Sequence, residues 1–572
     1  MITQTETDPR DAGTTTLPPA DGVPADPRRW ITLAIILTSV LIAALDSTVL
    51  NVAIPTILRD FHTTLPALQW VITGYTLTFA ALLIIGGRLG DIFGARRMFI
   101  IGASLFGIGS LLASLSTGVA TLVVGEAIIE GIGASLMLPA TMGILSSTFS
   151  GRERATAFGA WGATMGAAVA LGPLLGGFLT TNYSWRWAFR INVIVVPFAI
   201  LGAVVFMRHV APPSRRQRID VRGALLIATG MFMLVFGISE GATYGWWHPL
   251  ADLRMAGVDL WPASRSVSIV PFAFLAAILL LGGFYRLERA KEREGSDPLF
   301  EFSTMRIPAF RYGLSTLLLL AMGQIAFLFI LSVFLQDSLH LSAVSTGLWL
   351  VPSGIFIVTG SQIGGRLTRR IGTARVVQIG LALEALGLAA IAVVVSPTLT
   401  FVELLPGFAC FGLGIGFAGS QLTNVILADI PPAKAGAASG ANTTVRMIGA
   451  SLGIAVISTL LSSSTIRRAI ELVGTSRQLS PGVRARALAQ LHSSGVNFAP
   501  APGTSARQAD VLRHALDTAV ASGARPPLMY ATAVVTLGVI VSFRIPRTRP
   551  AEMEQTELQI ESELISETFA VQ

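Results

Sequence analysis

Three carboxyl groups lie inside long apolar runs of this 572-residue chain, where a charged group is costly and is usually functional. Asp46 falls late in the first run, whereas Glu126 and Glu130 fall in the fourth run, four residues apart and so on one helix face. At 1.5 Å of rise per residue, all three are expected about 8–15 Å below the outer surface of the membrane that the protein spans. Neighbouring carboxylates in a low-dielectric cavity cannot both ionise cheaply, which suits a group that binds and releases a proton or binds a cationic substrate.

Other ionisable residues in the apolar runs carry weaker signals. Arg446 lies toward the cytoplasmic end of the thirteenth run, where it is expected either to snorkel to the surface or to pair with Asp91. Glu384 and Glu403 are lone carboxylates for which functional and structural roles are both open.

The sequence lacks the residues that a metalloenzyme, a hydrolase or an ATP-driven pump would require. All six histidines fall at the ends of apolar runs or in connecting segments, so no buried histidine serves a metalloenzyme or a hydrolase. Lys occurs only at 291 and 434, which excludes a phosphate-cradling G-x-x-x-x-G-K-[ST] loop and an ATP-driven pump built on it. We therefore expect no enzymatic activity, no cofactor and no metal site, whereas these absences do not exclude a channel.

The composition explains why the few carboxylates matter. Apolar residues make up 52% of the chain and charged residues 13%, whereas a soluble domain carries about 25% charged residues. A transmembrane helix takes about 20 residues, and the chain holds fourteen runs of sufficient length. They lie at roughly 31–55, 68–87, 98–117, 121–146, 157–181, 188–207, 222–243, 268–286, 310–335, 344–364, 376–396, 401–427, 438–462 and 527–545. The sequence predicts an all-α integral membrane protein.

The arginines predict its orientation. The net charge is +8, and clusters of basic residues follow the even-numbered runs, as at Arg96 and Arg97 or at Arg369 and Arg370. The positive-inside rule then places both termini in the cytoplasm of a multi-pass protein of the cell inner (plasma) membrane, and no nucleic-acid partner is needed to explain the charge. The segment 464–526 holds eight arginines and would lie outside, since long loops translocate regardless of charge. Within it, 508–522 has the periodicity of an amphipathic helix.

A short basic turn occurs twice. Gly-Arg-Leu at 87–89 is followed by Gly-Asp-Ile-Phe-Gly-Ala-Arg-Arg, and Gly-Arg-Leu at 365–367 is followed by Thr-Arg-Arg-Ile-Gly-Thr-Ala-Arg. Two homologous halves around a midplane cavity are the usual architecture of a secondary transporter. The second copy has Arg369 where the first has Asp91, so only the first is expected to act as a charge-paired cytoplasmic gate. The predicted gate residues are Gly87, Arg88, Gly90, Asp91, Gly94, Arg96, Arg97 and Arg446.

The first turn resembles the loop motif of the major facilitator superfamily, and in particular of its 14-spanner drug:proton antiporter branch. Three further stretches resemble signatures of that branch, in order: Leu-Asp-Ser-Thr-Val-Leu-Asn-Val-Ala-Ile-Pro at 45–55, Gly-Pro-Leu-Leu-Gly-Gly at 172–177, and Trp-Arg-Trp-Ala-Phe-Arg-Ile-Asn at 185–192. The resemblance covers about 30–545. It implies a major facilitator fold with two six-helix bundles, two inserted helices at 222–243 and 268–286, and fourteen transmembrane helices in all.

This reading divides the chain into five parts. They are a disordered cytoplasmic tail at 1–29, an N-terminal six-helix bundle at 30–207, two inserted helices with linkers at 208–300, a C-terminal six-helix bundle at 301–545 that includes the external loop 464–526, and an acidic cytoplasmic tail at 546–572.

The fourth run departs from the family pattern. Family members carry Arg and Gln at the positions that are Ala127 and Glu130 here, so the Arg role in proton coupling does not carry over, and Glu126 and Glu130 are candidates to replace it. In the fifth run Gly172 and Pro173 are expected to break the helix.

The fifth run also carries the antiporter motif, formed by Gly172, Pro173, Gly176 and Gly177. Gly176 and Gly177 should admit a close helix, a contact that the resemblance links to the direction of antiport. Trp185 and Trp187, which follow this run, are expected at the membrane interface.

The function implied is a proton-coupled antiporter that exports hydrophobic, cationic drugs or toxic compounds by alternating access. The alternatives are an exporter of a lipid, siderophore or other metabolite with the same fold, and a transport-dead sensor. The expected partners are a small hydrophobic or cationic substrate, protons and the lipid bilayer, for a monomeric protein.

Overall fold

The computed structural model describes residues 27–63, 65–149, 151–208, 220–255, 258–296, 298–431, 434–494 and 504–546. The predicted tails therefore lie almost wholly outside the described residues. Within this part the chain forms sixteen α-helices and one β-hairpin. The helices are α1 (Arg29–Asp60), α2 (Leu65–Phe93), α3 (Ala95–Ser114), α4 (Val119–Thr148), α5 (Gly151–Asn182), α6 (Trp187–Phe206), α7 (Val221–Tyr244), α8 (Ile269–Glu294), α9 (Pro308–Asp337), α10 (Ala343–Ile371), α11 (Thr373–Val394), α12 (Phe401–Ala428), α13 (Ala435–Thr475), α14 (Pro481–Ser494), α15 (Ala506–Gly523) and α16 (Arg525–Ser542).

Thirteen stretches of these helices are long and apolar enough to cross a membrane, α15 and α16 counting as one stretch. The fourteenth predicted span corresponds to α5, a helix of 32 residues. At 1.5 Å per residue α5 is about 48 Å long, enough to cross a bilayer. It joins the end of α4 to the start of α6, which is why it completes the set of fourteen.

The two halves repeat one another. Gly94 between α2 and α3 has a φ of 93°, and Gly372 between α10 and α11 has a φ of 83°. Both lie in the left-handed region that glycine alone adopts without strain, so each turn reverses the chain in the same way. We call the side of the molecule that holds these two turns the basic side. The halves meet where α2 packs on α13 and where α5 packs on α10 and α12.

The inserted helices lie beside this junction. Helix α7 packs on α8 and also on α2 and α13, so it contacts both halves. Between α7 and α8 the chain forms an antiparallel hairpin of β1 (Leu253–Met255) and β2 (Val258–Trp261). The helices follow the predicted runs at 222–243 and 268–286 within a few residues at each start, although α8 ends eight residues later, at Glu294.

Several helices begin at polar residues that cap free backbone N–H groups. Asp220 accepts from the N–H of Gly223 at 2.9 Å, and Ser342 accepts from that of Ser345 at 3.1 Å. At the start of α12, Glu403 accepts from the N–H and the hydroxyl of Thr400, which completes a capping box. The lone carboxylate Glu403 thus has a structural role.

The segment 464–526 is mostly helical. Helix α13 continues to Thr475, and α14 and α15 pack against its end around a small apolar core of their own. The helix predicted at 508–522 is present as α15. Ser338, at the end of α9, donates to the carbonyl of Asp517 at 2.9 Å and ties α15 to the second half.

Candidate functional site

The three predicted carboxyl groups meet in one buried cluster, the carboxylate triad of Asp46, Glu126 and Glu130. Each offers an oxygen within 4.8 Å of the other two. The two glutamates are 0% exposed and Asp46 is 2% exposed. Both glutamates lie in a π-helical segment of α4, Val123–Glu130. Such segments are rare and occur frequently at functional sites.

Close contact between α3 and α4 positions this segment. A side chain at Gly109 would lie 2.7 Å from the backbone nitrogen of Glu130, and one at Gly125 would lie 2.8 Å from that of Ala113. Glycine at both positions lets the backbones touch. The contact brings Ser110 of α3 next to Glu130, to which the Ser110 hydroxyl donates at 2.6 Å.

Asn192 of α6 connects the cluster. Its Nδ2 donates to Asp46 at 2.8 Å, to Ser110 at 3.1 Å and to Glu130 at 3.3 Å. Two N–H hydrogens thus face three acceptors, and the amide can exchange between them as the charges on the carboxyls change. Tyr75 of α2 interacts electrostatically with all three carboxyls.

We expect the triad to hold protons in this state, because its carboxyl groups are buried without a paired cation among the described residues. Among the described residues, neither oxygen of Glu126 has an N–H or hydroxyl donor. Oδ2 of Asp46 and Oε2 of Glu130 also lack one. An oxygen of Glu126 lies within 4.8 Å of an oxygen of each of the other two carboxyls, and a carboxyl can donate a hydrogen bond to another only when it is protonated. Three carboxylate ligands at this spacing are also within reach of a hard cation. The Asn192 amino group donates into the same space and opposes a cation there.

The described partners of the triad belong to α1, α2, α3, α4 and α6, which are all in the first half. The second half has an aromatic residue at the equivalent point of the crossing. Gly109 and Gly387 lie the same number of residues after the turn glycines, and Gly387 contacts the backbone of Phe411 as Gly109 contacts that of Glu130. Phe411 stacks on Phe327 with 3.7 Å between ring centroids. Only the first half therefore carries charge at this position.

Asp91 joins the two halves on the basic side. Its carboxylate accepts from the backbone N–H groups of Gly436 at 2.7 Å and of Ala437 at 2.8 Å. These are free donors in the first turn of α13, so α2 caps a helix of the other half. A side chain at Gly87 would overlap the carbonyl of Gly436, and one at Gly436 would overlap that of Gly87.

The arginines of the predicted gate have other positions. Arg88 is buried and interacts with Asp91 electrostatically, but Arg96 donates to the carbonyl of Val204 at 2.6 Å, within its own half. Arg97 is exposed. A side chain at Gly90 would meet no described atom within 4 Å, so this glycine admits no close contact here.

The predicted pairing of Arg446 with Asp91 is wrong in this state. Arg446 lies nine residues after Ala437, about 14 Å further along α13. Its guanidinium donates to Thr423 of α12 at 3.5 Å. Its predicted role in the gate stays a prediction. The side chain of Arg369, in the second copy of the turn, lies outside the described residues.

The antiporter motif makes the close contact that its glycines predict. A side chain at Gly172 would overlap the Thr48 hydroxyl, and one at Gly176 would lie 3.1 Å from the Cα of Val49. Helix α5 thus packs on α1 directly beside Asp46. The expected helix break at Gly172 and Pro173 is wrong, because α5 is continuous from Gly151 to Asn182. Helix α5 packs against α1 and against α10, and its backbone stays helical through the proline.

Trp185 is fully buried within the protein, so its ring packs against other helices and does not face lipid; its position at the membrane interface stays a prediction. Its Nε1 donates to Asp60 at 2.7 Å, and its ring packs edge-on against Phe61 and Phe189. The guanidinium of Arg186 lies 4.3 Å from the ring centroid. The carboxylate at the end of α1 provides the partner that lets the indole N–H be buried.

Trp185→Ala is expected to lower the free energy of unfolding by about 3–5 kcal/mol, because it removes a large buried ring. Trp185→Phe, which keeps a smaller aromatic ring but loses the hydrogen bond to Asp60, should cost less than this, about 1–2 kcal/mol. Thermal unfolding of the purified protein measures both. Equal losses for the two variants would contradict this account of the site.

Several residues of the site carried no signal in the sequence. Ser110, Tyr75 and Arg154 are ordinary residues of their segments, and only the packing brings them to the triad or the gate. Glu240 of α7 is another buried carboxyl, which accepts from Thr73 of α2 at 2.8 Å and joins the inserted helices to the first half. Its place late in a predicted span was a signal that could have revealed it.

Glu384 is fully buried in the second half. A side chain at Gly323 would lie 3.3 Å from its Oε1, and neither carboxyl oxygen has a hydrogen-bond partner among the described residues. The charged form would be left uncompensated there, so we expect this carboxyl to be neutral. Its role stays open.

Comparisons with known proteins agree with this geometry. The family description "Major Facilitator Superfamily" matches residues 36–454. The chain is 35% identical to the "Probable actinorhodin transporter" of Streptomyces coelicolor, over 77% of this chain and 75% of the relative. It is 31% identical to the tetracenomycin C resistance and export protein of Streptomyces glaucescens, over 81% and 80%. It is 34% identical to the puromycin resistance protein pur8 of Streptomyces alboniger, over 77% and 83%.

A solved structure confirms the fold. The crystal structure of the human organic anion transporter MFSD10 (TETRAN) matches with a TM-score of 0.53 at 15% identity. The match covers 90% of this chain and 100% of that chain. With a family match that spans most of the sequence and the repeated halves described above, the chain belongs to the Major Facilitator Superfamily.

Proposed function

We propose that this protein is a proton-coupled antiporter that exports hydrophobic, cationic drugs or toxic compounds by alternating access. The observation that carries the proposal is the carboxylate triad, which is buried between helices long and apolar enough to cross a membrane and has no paired cation among the described residues. Antibiotic export and resistance in the names of relatives support the substrate class.

Proton release from the triad changes the energy of the surrounding packing. When protons are shared between the carboxyls, the net charge of the triad is small and the triad can stay buried. Loss of a proton leaves an uncompensated charge in a low-dielectric interior, which costs several kcal/mol. A rearrangement that admits water or a cationic substrate lowers that cost, so protonation favours one arrangement of the helices and deprotonation another.

The packing of α1 provides a route by which this change reaches the second half. Asp46 lies two residues from Thr48, which contacts Gly172 of α5. Helix α5 in turn packs along α10 of the second half. A shift of α1 at the triad therefore displaces a helix that forms part of the junction between the halves.

Alternating access requires the basic side to open. The structure is held closed there by the Asp91 contact with α13 and by the backbone contact of Gly87 with Gly436. Opening must break both, and closing must reform them. We propose that the basic side faces the cytoplasm of the plasma membrane, with both termini on that side, because the arginine clusters lie there.

The substrate class follows from the charge and the apolar surroundings. A cationic compound can compensate the deprotonated triad, and apolar surfaces accept compounds of varied shape. We propose that the protein works as a monomer in the lipid bilayer, with no nucleic acid, metal or cofactor involved and no enzymatic activity.

Reconstituted vesicles test this proposal. A pH-sensitive dye trapped inside the vesicles should record proton movement when the fluorescent cation ethidium is added, and a proton gradient should drive ethidium against its own gradient. A protonophore should abolish the driven movement, and vesicles without protein supply the background. Ethidium transport with no coupled proton flux would overturn the coupling.

A susceptibility screen tests the substrate class. Overexpression should raise, and deletion should lower, the concentration of dyes, antiseptics or antibiotics that cells tolerate. If no compound in a broad panel shifts tolerance, export of drugs is wrong, and a lipid, siderophore or other metabolite becomes the substrate to test.

A further inference from the structure

A second contact between the halves lies on the basic side. Arg154, near the start of α5, donates from its Nη2 to the backbone carbonyl of Leu427 at 3.0 Å. Leu427 is in the last turn of α12, which ends at Ala428, and α13 begins at Ala435. The first half therefore contacts both ends of the α12–α13 corner, the connection at 429–434.

The two contacts match the charges of the helix ends. The carboxylate of Asp91 lies at the start of α13, where free N–H groups give a partial positive charge. The guanidinium of Arg154 lies at the end of α12, where free carbonyls give a partial negative charge. Each ion is thus stabilised by the helix end that it contacts, and exchange of the two charges would be unfavourable at both.

The corner is also attached to its own half. Lys434, which precedes α13, forms an ion pair with Glu301, just before the 3-10 turn Phe302–Arg306. The corner therefore moves with the second half when the halves separate. The arm of Arg154 is held in place by Phe158, whose buried ring centroid lies 5.8 Å from the guanidinium carbon.

We propose that Arg154 is a positioning residue of the gate, which together with Asp91 clamps the α12–α13 corner and stabilises the state closed on the basic side. The inference rests on the alternating-access function proposed above. It assigns a role to a residue that lies outside the repeated turn and outside the carboxylate triad.

The population of the open state measures the clamp. Spin labels at Ser147 and Arg370, exposed positions at the basic ends of α4 and α10, report the distance between the halves, with Cys410→Ala removing the native thiol. Arg154→Gln should raise the ratio of open to closed molecules about tenfold, the effect of losing one hydrogen bond to a charged group. Arg154→Lys keeps a positive charge beside the Leu427 carbonyl at the end of α12, and it should recover most of the closed population.

A double substitution tests whether the two contacts are independent. Asp91→Asn should raise the open ratio by a similar factor, and the double variant should raise it by about the product of the two factors, because the contacts share no atoms. Thermal unfolding of each variant checks that the change lies in the gate and not in the fold.

The outcomes separate the two proposals. If Asp91→Asn opens the basic side and Arg154→Gln does not, the role of Arg154 is overturned and the gate itself stands. If neither variant changes the distances, both the clamp and the alternating-access gate are wrong. If Arg154→Lys opens the basic side as far as Arg154→Gln does, the contact does not act through charge at the helix end, and the inference is overturned.

Discussion

Glu130→Gln is expected to abolish proton-driven export while the protein still folds. The amide cannot release a proton, so one member of the triad no longer titrates. Its carbonyl oxygen can still accept from Ser110 and Asn192, the two donors that contact Glu130 now. The variant should therefore lose accumulation of ethidium driven by a proton gradient, down to the level of vesicles without protein, and should keep the thermal stability of the parent.

Glu403→Gln is the matched control. It removes a carboxyl from another membrane helix, but Glu403 closes a capping box, in which Gln also serves. Proton-driven export should be unchanged in this variant. If Glu130→Gln transports as the parent does, the triad is not the coupling site. A variant that loses proton dependence but still equilibrates ethidium down its gradient would support the proposed role in full.

Gly87→Ala is expected to prevent closure of the basic side. The added methyl group would overlap the carbonyl of Gly436, so α2 and α13 would have to separate by about 1 Å or more to restore an ordinary contact. The contact lies between the halves, so each half should still fold. The variant should stay open on the basic side in the spin-label measurement, and both proton-driven and downhill transport should fall to background.

The repeat supplies the control for this substitution. Gly365 is the equivalent glycine of the second turn, and a side chain there would meet no described atom within 4 Å. Gly365→Ala should therefore close and transport as the parent does. Loss of transport in both variants would mean that the turn needs glycine for another reason, such as flexibility during opening. Normal transport by Gly87→Ala would show that close approach at this crossing is not required.

Much of the architecture follows from the sequence because the bilayer imposes a simple rule. A segment that crosses hydrocarbon must be long, helical and apolar, so the spans, the inserted pair and the rarity of internal charges are all visible in the order of residues. The span that became α5 was likewise predicted as an apolar run, at 157–181, and the structure has a continuous helix there. The repeated turn similarly showed equivalent glycines in the two halves, and the structure gives Gly94 and Gly372 the same positive φ.

The chemistry of the candidate site could be only partly predicted. Asp46, Glu126 and Glu130 are conspicuous because carboxylates are costly in an apolar run, and their places in the runs predicted a common depth. Asn192 and Ser110 give no such signal, since an amide or a hydroxyl is tolerated at many positions. Likewise the helix break expected at Pro173 reflects local preference, whereas α5, which packs against α1 and α10, is continuous through this position.

The sequence by itself determined the membrane-spanning order, the two repeated halves and the three carboxyl groups on which the proposed coupling depends. Only the tertiary structure decided what those groups contact. Asp91 reaches the start of α13 and Arg154 reaches the end of α12, more than 250 residues away in each case. Such contacts use backbone groups that are common to nearly all residues, so no pattern of side chains predicts them. Only the packing of the two halves brings a charged side chain to a helix end.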